Sequence, residues 1–184
     1  AGAISHASLA GLGATVYFNE VLGWHISPLA GAMAAALIAA LIISRITQGN
    51  RERADTVIGT IWAVGMGVGL LFIAKTPGYI DPISYIFGNI LLLEKADLTL
   101  IIILDLVVIA SIIIFYRAFH GVAFDEEYAR TRGLNTSFYE TYLIILTALT
   151  VVLMVSTVGI VMVIALLTIP AAIGSIFTRK LWQM

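Results

Sequence analysis

Five stretches of this chain, Pro28 to Ser44, Thr56 to Ala74, Leu98 to Tyr116, Phe138 to Val155 and Val158 to Phe177, each carry at most one charged side chain. Each comes close to the roughly 20 apolar residues that a helix needs to cross hydrocarbon. No water-soluble core could absorb five such runs in 184 residues, so they dictate an integral membrane protein. Composition agrees: 60% of residues are hydrophobic, only 11% are charged, and the mean hydropathy is +1.03. A sixth, less apolar run, Ala3 to Leu22, is rich in Gly and Ala and holds His6, Asn19 and Glu20. Pro82 to Leu93 is too short to span and reads as a re-entrant or interfacial helix. The expected fold is therefore all-α, a polytopic transmembrane bundle of about six spans, with residues 1–184 forming a single domain. The absence of an initiator Met and a basic leader makes the start look cut.

Basic residues set the orientation. If the connections at 45–55, 117–137 and 178–184 share one side, that side holds Arg45, Arg51, Arg53, Arg117, Arg130, Arg132, Arg179 and Lys180, and the other keeps only Lys75 and Lys95. That bias places the three connections in the cytoplasm. Trp24, Tyr79 and Trp182 then fall near span ends, where amphipathic aromatics belong. Within the spans, Gly65 with Gly69 and Ala10 with Ala14 have the four-residue spacing that lets helices approach closely in lipid. No composition or motif points to nucleic acid. Zero cysteines exclude disulfides and thiolate metal sites. A Gly-x-x-x-x-Gly-Lys-Ser/Thr phosphate loop is also missing, so these residues supply no ATPase of their own.

The densest charge lies in "FDEEYARTRG", residues 124–133. Asp125, Glu126 and Glu127 lead, Arg130 and Arg132 follow, and Gly133 comes just past them. This order describes a short helix capped by Asp125, with a Glu126–Arg130 pair one turn apart. On charge pattern alone it is either a solvated connector or a docking element.

The surrounding motifs carry a resemblance. "VAFDEEYARTRGLN" is similar to the Phe-Asp-x-x-x-Ala-x-x-x-Gly-Leu segment of the permease subunits of ABC importers for zinc, manganese and related metals, the ABC-3 type membrane subunits. "GAISHASLAG", "RADTVIGTIWAVGMGVG", "ISYIFGNIL" and "VGIVMVIALLTIPAA" resemble four further segments of that family, in the same order along the chain. The resemblance implies that 124–133 is a cytoplasmic coupling helix. Phe124, Asp125, Glu126, Tyr128, Ala129 and Arg132 would form the face that docks on a separate ATPase subunit, and Gly133 would turn the chain back. It also implies a permease homodimer in the cell membrane of a prokaryote, a binding protein that delivers metal from outside, and a longer chain than the stretch seen here. No permanently bound cofactor would be expected; the transported ion would be zinc, manganese or iron. The alternatives are a permease for a metal chelate or vitamin, and, further off, a secondary transporter.

Ionisable groups inside spans are costly and so point to function. His6 is the candidate metal ligand, because a neutral imidazole binds zinc, manganese or ferrous iron without first losing a proton. The family pattern places an Asp four residues earlier, where this chain has Gly2. The structural alternative for His6 is a hydrogen bond to a neighbouring helix. Asp105, alone in "IIILDLVVI", reads as protonated or paired to another helix, with a pathway role as the alternative. Asp55 and Thr56 open a span and read as N-caps, or as pathway residues by the resemblance. Pro170 should kink the last span, with the Thr168 hydroxyl placed to repair the break, either as a purely structural kink or as a region that flanks the translocation route. Glu20 and His25 lie towards the outer face, as surface polarity or as collectors of cations.

Overall fold

A computed structural model describes residues 1–49, 54–78 and 95–177. Seven helices occur among them: α1 (Gly2–Leu22), α2 (Pro28–Gly49), α3 (Ala54–Lys75), α4 (Lys95–Phe124), α5 (Glu126–Thr131), α6 (Thr136–Val158) and α7 (Ile160–Phe177). No strand is present among the described residues. The all-α membrane bundle expected from the sequence is what the chain forms. Five helices, α2, α3, α4, α6 and α7, are long and apolar enough to cross a membrane. The segment 82–93 and the residues Arg51, Arg53, Tyr79, Arg179, Lys180 and Trp182 lie outside the described residues.

The least apolar run becomes the centre. Helix α1 packs along α3 and α2 and also touches α6 and α7. It fits there because its neighbours approach on backbone alone. A Cβ added to Gly65 would sit 2.8 Å from the backbone of Ala7, one added to Gly69 would meet Leu9 at 2.8 Å, and one added to Gly13 would meet the Gly69 carbonyl at 2.6 Å. The Gly65/Gly69 spacing thus works as read. On the other side Gly11 and Gly31 bring α1 against α2 in the same way.

The buried hydroxyls of α1 are tolerated because each returns its hydrogen to its own helix. The Ser5 hydroxyl donates to the Ala1 carbonyl at 3.3 Å, Ser8 to Ser5 at 2.7 Å and Thr15 to Gly11 at 2.8 Å. Around α1 the core is built from Ile4, Leu9, Ala36, Val151, Val152 and Val163, all nearly inaccessible. Asn19 closes the outer α1–α2 hairpin: its amide donates to the Ile26 carbonyl at 2.7 Å and accepts from the Ile26 N–H at 3.1 Å. Gly23, at φ 67, is where the turn needs a left-handed residue. Trp24 sits at this end, in ring contact with Phe18.

Helix α4 departs from the expected span. The apolar run stops at Tyr116, and residues 117–137 read as a connection, yet the helix continues to Phe124. Thirty residues make a rod of about 45 Å, longer than the ~30 Å hydrocarbon core. The extra turns are held by aromatic contacts: Phe115 and Phe119 lie against Tyr139 and Tyr142 of α6, and the Ser111 and Tyr142 hydroxyls bond at 2.8 Å. α4 is therefore longer than the hydrocarbon is thick and carries α5 at its C-terminal tip.

That two of the basic connections share one face has support independent of their charge. Gln48, near the end of α2, donates to the Ser137 carbonyl at 3.2 Å, and the Ser137 hydroxyl donates back to Gln48 at 2.5 Å. The 45–55 and 117–137 connections are thus on one face.

Candidate metal site and docking helix

His6 lies on the buried face of α1. Its Nδ1 is 2.9 Å from the Gly2 carbonyl oxygen. A carbonyl only accepts, so Nδ1 carries the hydrogen in this contact, the tautomer that in a neutral imidazole puts the lone pair on Nε2. This hydrogen bond is to its own helix rather than to the neighbouring one expected of the packing alternative, while the contact across helices is made by the ring. Gly2, where the family pattern has Asp, contributes its backbone oxygen instead of a carboxylate. The Trp62 ring of α3 meets the imidazole edge-to-face, with centroids 5.4 Å apart.

Two cavities meet at this histidine. One, of 420 Å³, is lined by His6 with Ile43, Ile58, Trp62, Ile144 and Thr147, and by the first residues of α1. The other, of 270 Å³, is lined by His6, Leu9, Met66, Ile160 and Val161. Ile164 of α7 borders both. Along α3, Ile58 and Trp62 belong to the first and Met66, one turn further out, to the second. His6 and Ile164 therefore border both cavities, which open to the surface beside the exposed Trp62 and Val161. Among the described residues, no three His, Asp or Glu side chains are grouped closely enough to hold a metal ion. A cation here would have the His6 nitrogen as its one strong protein donor from these residues.

The other pathway candidates are scattered. Asp55 and Thr56 are exposed in the first turn of α3, within the helix rather than at its cap. The N-capping expected of them is corrected by the helix starting at Ala54. Asp105 is exposed on α4, with no partner among the described residues, so the helix-to-helix bond expected of it is not formed there. Thr168 donates to the Ile164 carbonyl at 2.6 Å. Pro170 instead frees the carbonyl four residues back, at Leu166, so the repair expected from Thr168 goes to a different oxygen. Glu20 and His25 are exposed at the outer hairpin. None of these side chains lines either His6 cavity.

Helix α5 has the caps its sequence describes. Asp125 accepts from the Tyr128 N–H at 2.8 Å and the Arg130 guanidinium pairs with Glu126 at 2.9 Å. Gly133, at φ 83, ends it, with Gly133 N–H donating to Arg130 and Leu134 N–H to Ala129. Phe124 belongs to the last turn of α4, so the helix itself spans Glu126–Thr131 within the expected 124–133. Phe124, Asp125, Tyr128 and Arg132 are exposed, and the Arg132 guanidinium donates to the Tyr128 hydroxyl at 2.7 Å. Ala129 is different. It is 2% exposed and turns inward against Gly121 of α4, so it is not part of the exposed face on which it was expected. Glu126 is half-buried beside Thr136.

Sequence reasoning missed Trp62 and Thr147, which read as ordinary span residues. It also missed a polar cluster joining α2 to α6. Ser44 and Thr141 bond hydroxyl to hydroxyl at 2.7 Å, and the Gln48 amide donates to both at 3.0 Å. The signal was present: Ser44/Gln48 and Ser137/Thr141 are each four residues apart, one polar stripe on each of two apolar helices.

The arrangement defines a polytopic membrane protein with two cavities beside a buried histidine and a short, capped helix between two long apolar ones. The profile of the ABC 3 transport family matches residues 1–184, and the chain belongs to that family. It is 39% identical over all 184 residues to an uncharacterised membrane protein of Synechocystis. It is 34% identical over 184 residues to a probable metal transport system membrane protein of Chlamydia pneumoniae. Against the manganese transport system membrane protein MntC of Listeria monocytogenes it is 34% identical over 182 residues, 99% of this chain. Each match covers 63% of the relative, so the chain spans less than two thirds of their length. Among solved structures it is similar to PsaBC from Streptococcus pneumoniae in complex with Fab, with a TM-score of 0.78 and 29% identity over 99% of this chain and 64% of that one.

Proposed function

We propose that the chain is the membrane-spanning part of an ABC importer that moves a divalent transition metal ion into the cytoplasm, driven by ATP hydrolysis on a separate subunit. Manganese is the first candidate, because the Listeria relative is named for manganese transport. The observation that carries the reading is His6, a buried imidazole whose neutral form keeps its Nε2 lone pair free, set where two cavities meet. A ligand beside open cavities can hold an ion in transit without a closed cage, which suits transport because the ion must also leave. On the cytoplasmic side, the exposed Phe124, Asp125, Tyr128 and Arg132 would dock on the ATPase. Two permease copies, two ATPase subunits and an external binding protein complete the assembly. Closure of the ATPases would move α5 and with it the ends of α4 and α6, switching access between the two sides.

The test is metal uptake by the full-length permease assembled with its ATPase and binding protein in proteoliposomes. His6→Ala should assemble normally and reduce manganese uptake by at least about tenfold, as loss of a principal ligand does. Unchanged uptake of manganese, zinc and iron in a properly assembled His6→Ala complex would refute the ligand role.

A further inference from the structure

We propose that Trp62 is the positioning residue of the His6 site: its indole, brought onto the imidazole where α3 seats on α1, holds the ring in the orientation that leaves Nε2 facing the cavities. The inference rests on the metal-transport reading above and adds to it the group that orients the ligand.

The imidazole needs two restraints. The hydrogen bond from Nδ1 to the Gly2 carbonyl, at 2.9 Å, is the first. One hydrogen bond fixes a direction but lets the ring swing about the N–H···O axis, since its angular preference is broad. Trp62 supplies the second restraint from another helix. Its ring meets the imidazole edge-to-face, with centroids 5.4 Å apart and planes at 79°, a geometry in which two rings attract. Nε2 makes no hydrogen bond among the described residues, where no buried side-chain nitrogen is left unpaired. It is therefore the ring nitrogen that reaches the open space His6 borders.

The indole is aimed by the backbone. A Cβ on Gly65 would lie 2.8 Å from the Ala7 nitrogen and 2.9 Å from the His6 carbonyl carbon, so α3 touches α1 at the peptide joining residues 6 and 7. Trp62 stands three residues before Gly65, on the same face of α3. The close seat thus delivers the large ring to the His6 side chain.

Depth removes the ordinary reason for a tryptophan. Trp62 comes eight residues after Ala54, the first residue of α3, about 12 Å along the helix. Interfacial tryptophans sit at span ends instead. It is 52% exposed, so packing within this chain does not account for so large a ring at that depth. Its one ring contact among the described residues is the one with His6. A partner that orients a ligating histidine contributes to metal affinity without touching the metal.

The experiment uses the full-length permease assembled with its ATPase, purified in detergent and titrated with manganese(II) alone. Binding is read from the loss of the electron paramagnetic resonance signal of the free ion, and the part that His6→Ala removes is the binding at His6. Trp62→Leu keeps an apolar side chain and deletes the ring; it should weaken the His6-dependent binding about tenfold. Trp62→Phe keeps an aromatic ring against the imidazole and should bind as the unsubstituted complex does. Assembly and the thermal midpoint should be the same in all three. Equal affinity in the Leu and unsubstituted forms would overturn the positioning role. Equal weakening in the Leu and Phe forms would overturn it too, as would a fall in the Leu midpoint that accounts for the lost binding. Should Trp62→Leu fail to assemble, Trp62→Ile is read by the same criteria. A complex whose manganese binding is untouched by His6→Ala would overturn the ligand role of His6, and this inference with it, whatever residue 62 is.

Discussion

Gly65 and Gly67 stand two residues apart on α3 and do opposite things. A Cβ on Gly65 would lie 2.8 Å from the backbone of Ala7, whereas one on Gly67 would meet nothing within 4 Å. Gly65→Ala therefore forces α1 and α3 apart, and overpacking of this kind costs about 1–3 kcal/mol. Gly67→Ala adds only helix propensity and should be neutral or stabilising by up to about 1 kcal/mol. Thermal unfolding of the purified permease in detergent should separate the two substitutions in opposite directions, and equal midpoints would show that α1 does not seat on α3 as described. The same distinction explains why residue identity alone misassigned Ala129. A small residue in a charged helix looks like room left for a partner, but its space is taken by Gly121 of its own chain, so Ala129→Arg would unseat α5 before it tested docking.

At the level of elements, the sequence made most of the helices legible and left their ends and depths hidden. Five apolar runs became five helices because lipid leaves no alternative to internal backbone bonding. α5 was legible down to its caps, since Asp125, Glu126, Arg130 and Gly133 act locally and need no tertiary information. α4 overran its apolar run because Phe115 and Phe119 pack on Tyr139 and Tyr142, contacts between residues about 25 apart that no local pattern records. For the same reason His6 could be singled out, but not the cavity walls at Trp62 and Thr147, nor the polar cluster between residues 44 and 141. The preformed state of α5 makes its own prediction. Asp125→Ala removes the cap and costs the helix about 1 kcal/mol, so the fraction of permease that co-purifies with its ATPase should fall about fivefold. Asp125→Asn keeps an accepting oxygen and should co-purify normally. If Asn and Ala were equally damaging, the carboxylate would be serving as a charged contact rather than as the cap.

For the whole molecule, orientation follows from two facts that do not depend on each other. The first is the excess of basic residues in the connections at 45–55, 117–137 and 178–184. The second is the bonding of Gln48 to Ser137 and Thr141, which brings the end of α2 to the start of α6 whatever the charges are. The bonds put α5 and the Ser44–Gln48–Thr141 cluster on one face and the Asn19-closed hairpin on the other, and the charge bias makes the first of these faces the expected cytoplasmic one. These 184 residues contain no cysteine, so single cysteines report this order directly. Gly49→Cys and Thr131→Cys, both exposed at helix ends on the α5 side, should react with an impermeant thiol reagent only in inside-out vesicles, and His25→Cys only in intact cells. Labelling of Thr131→Cys in intact cells would invert the molecule, put the docking helix beyond reach of any ATPase, and take the import reading with it. Labelling of all three from their expected sides would fix which face of the membrane the start of α1, and with it His6, lies nearer to.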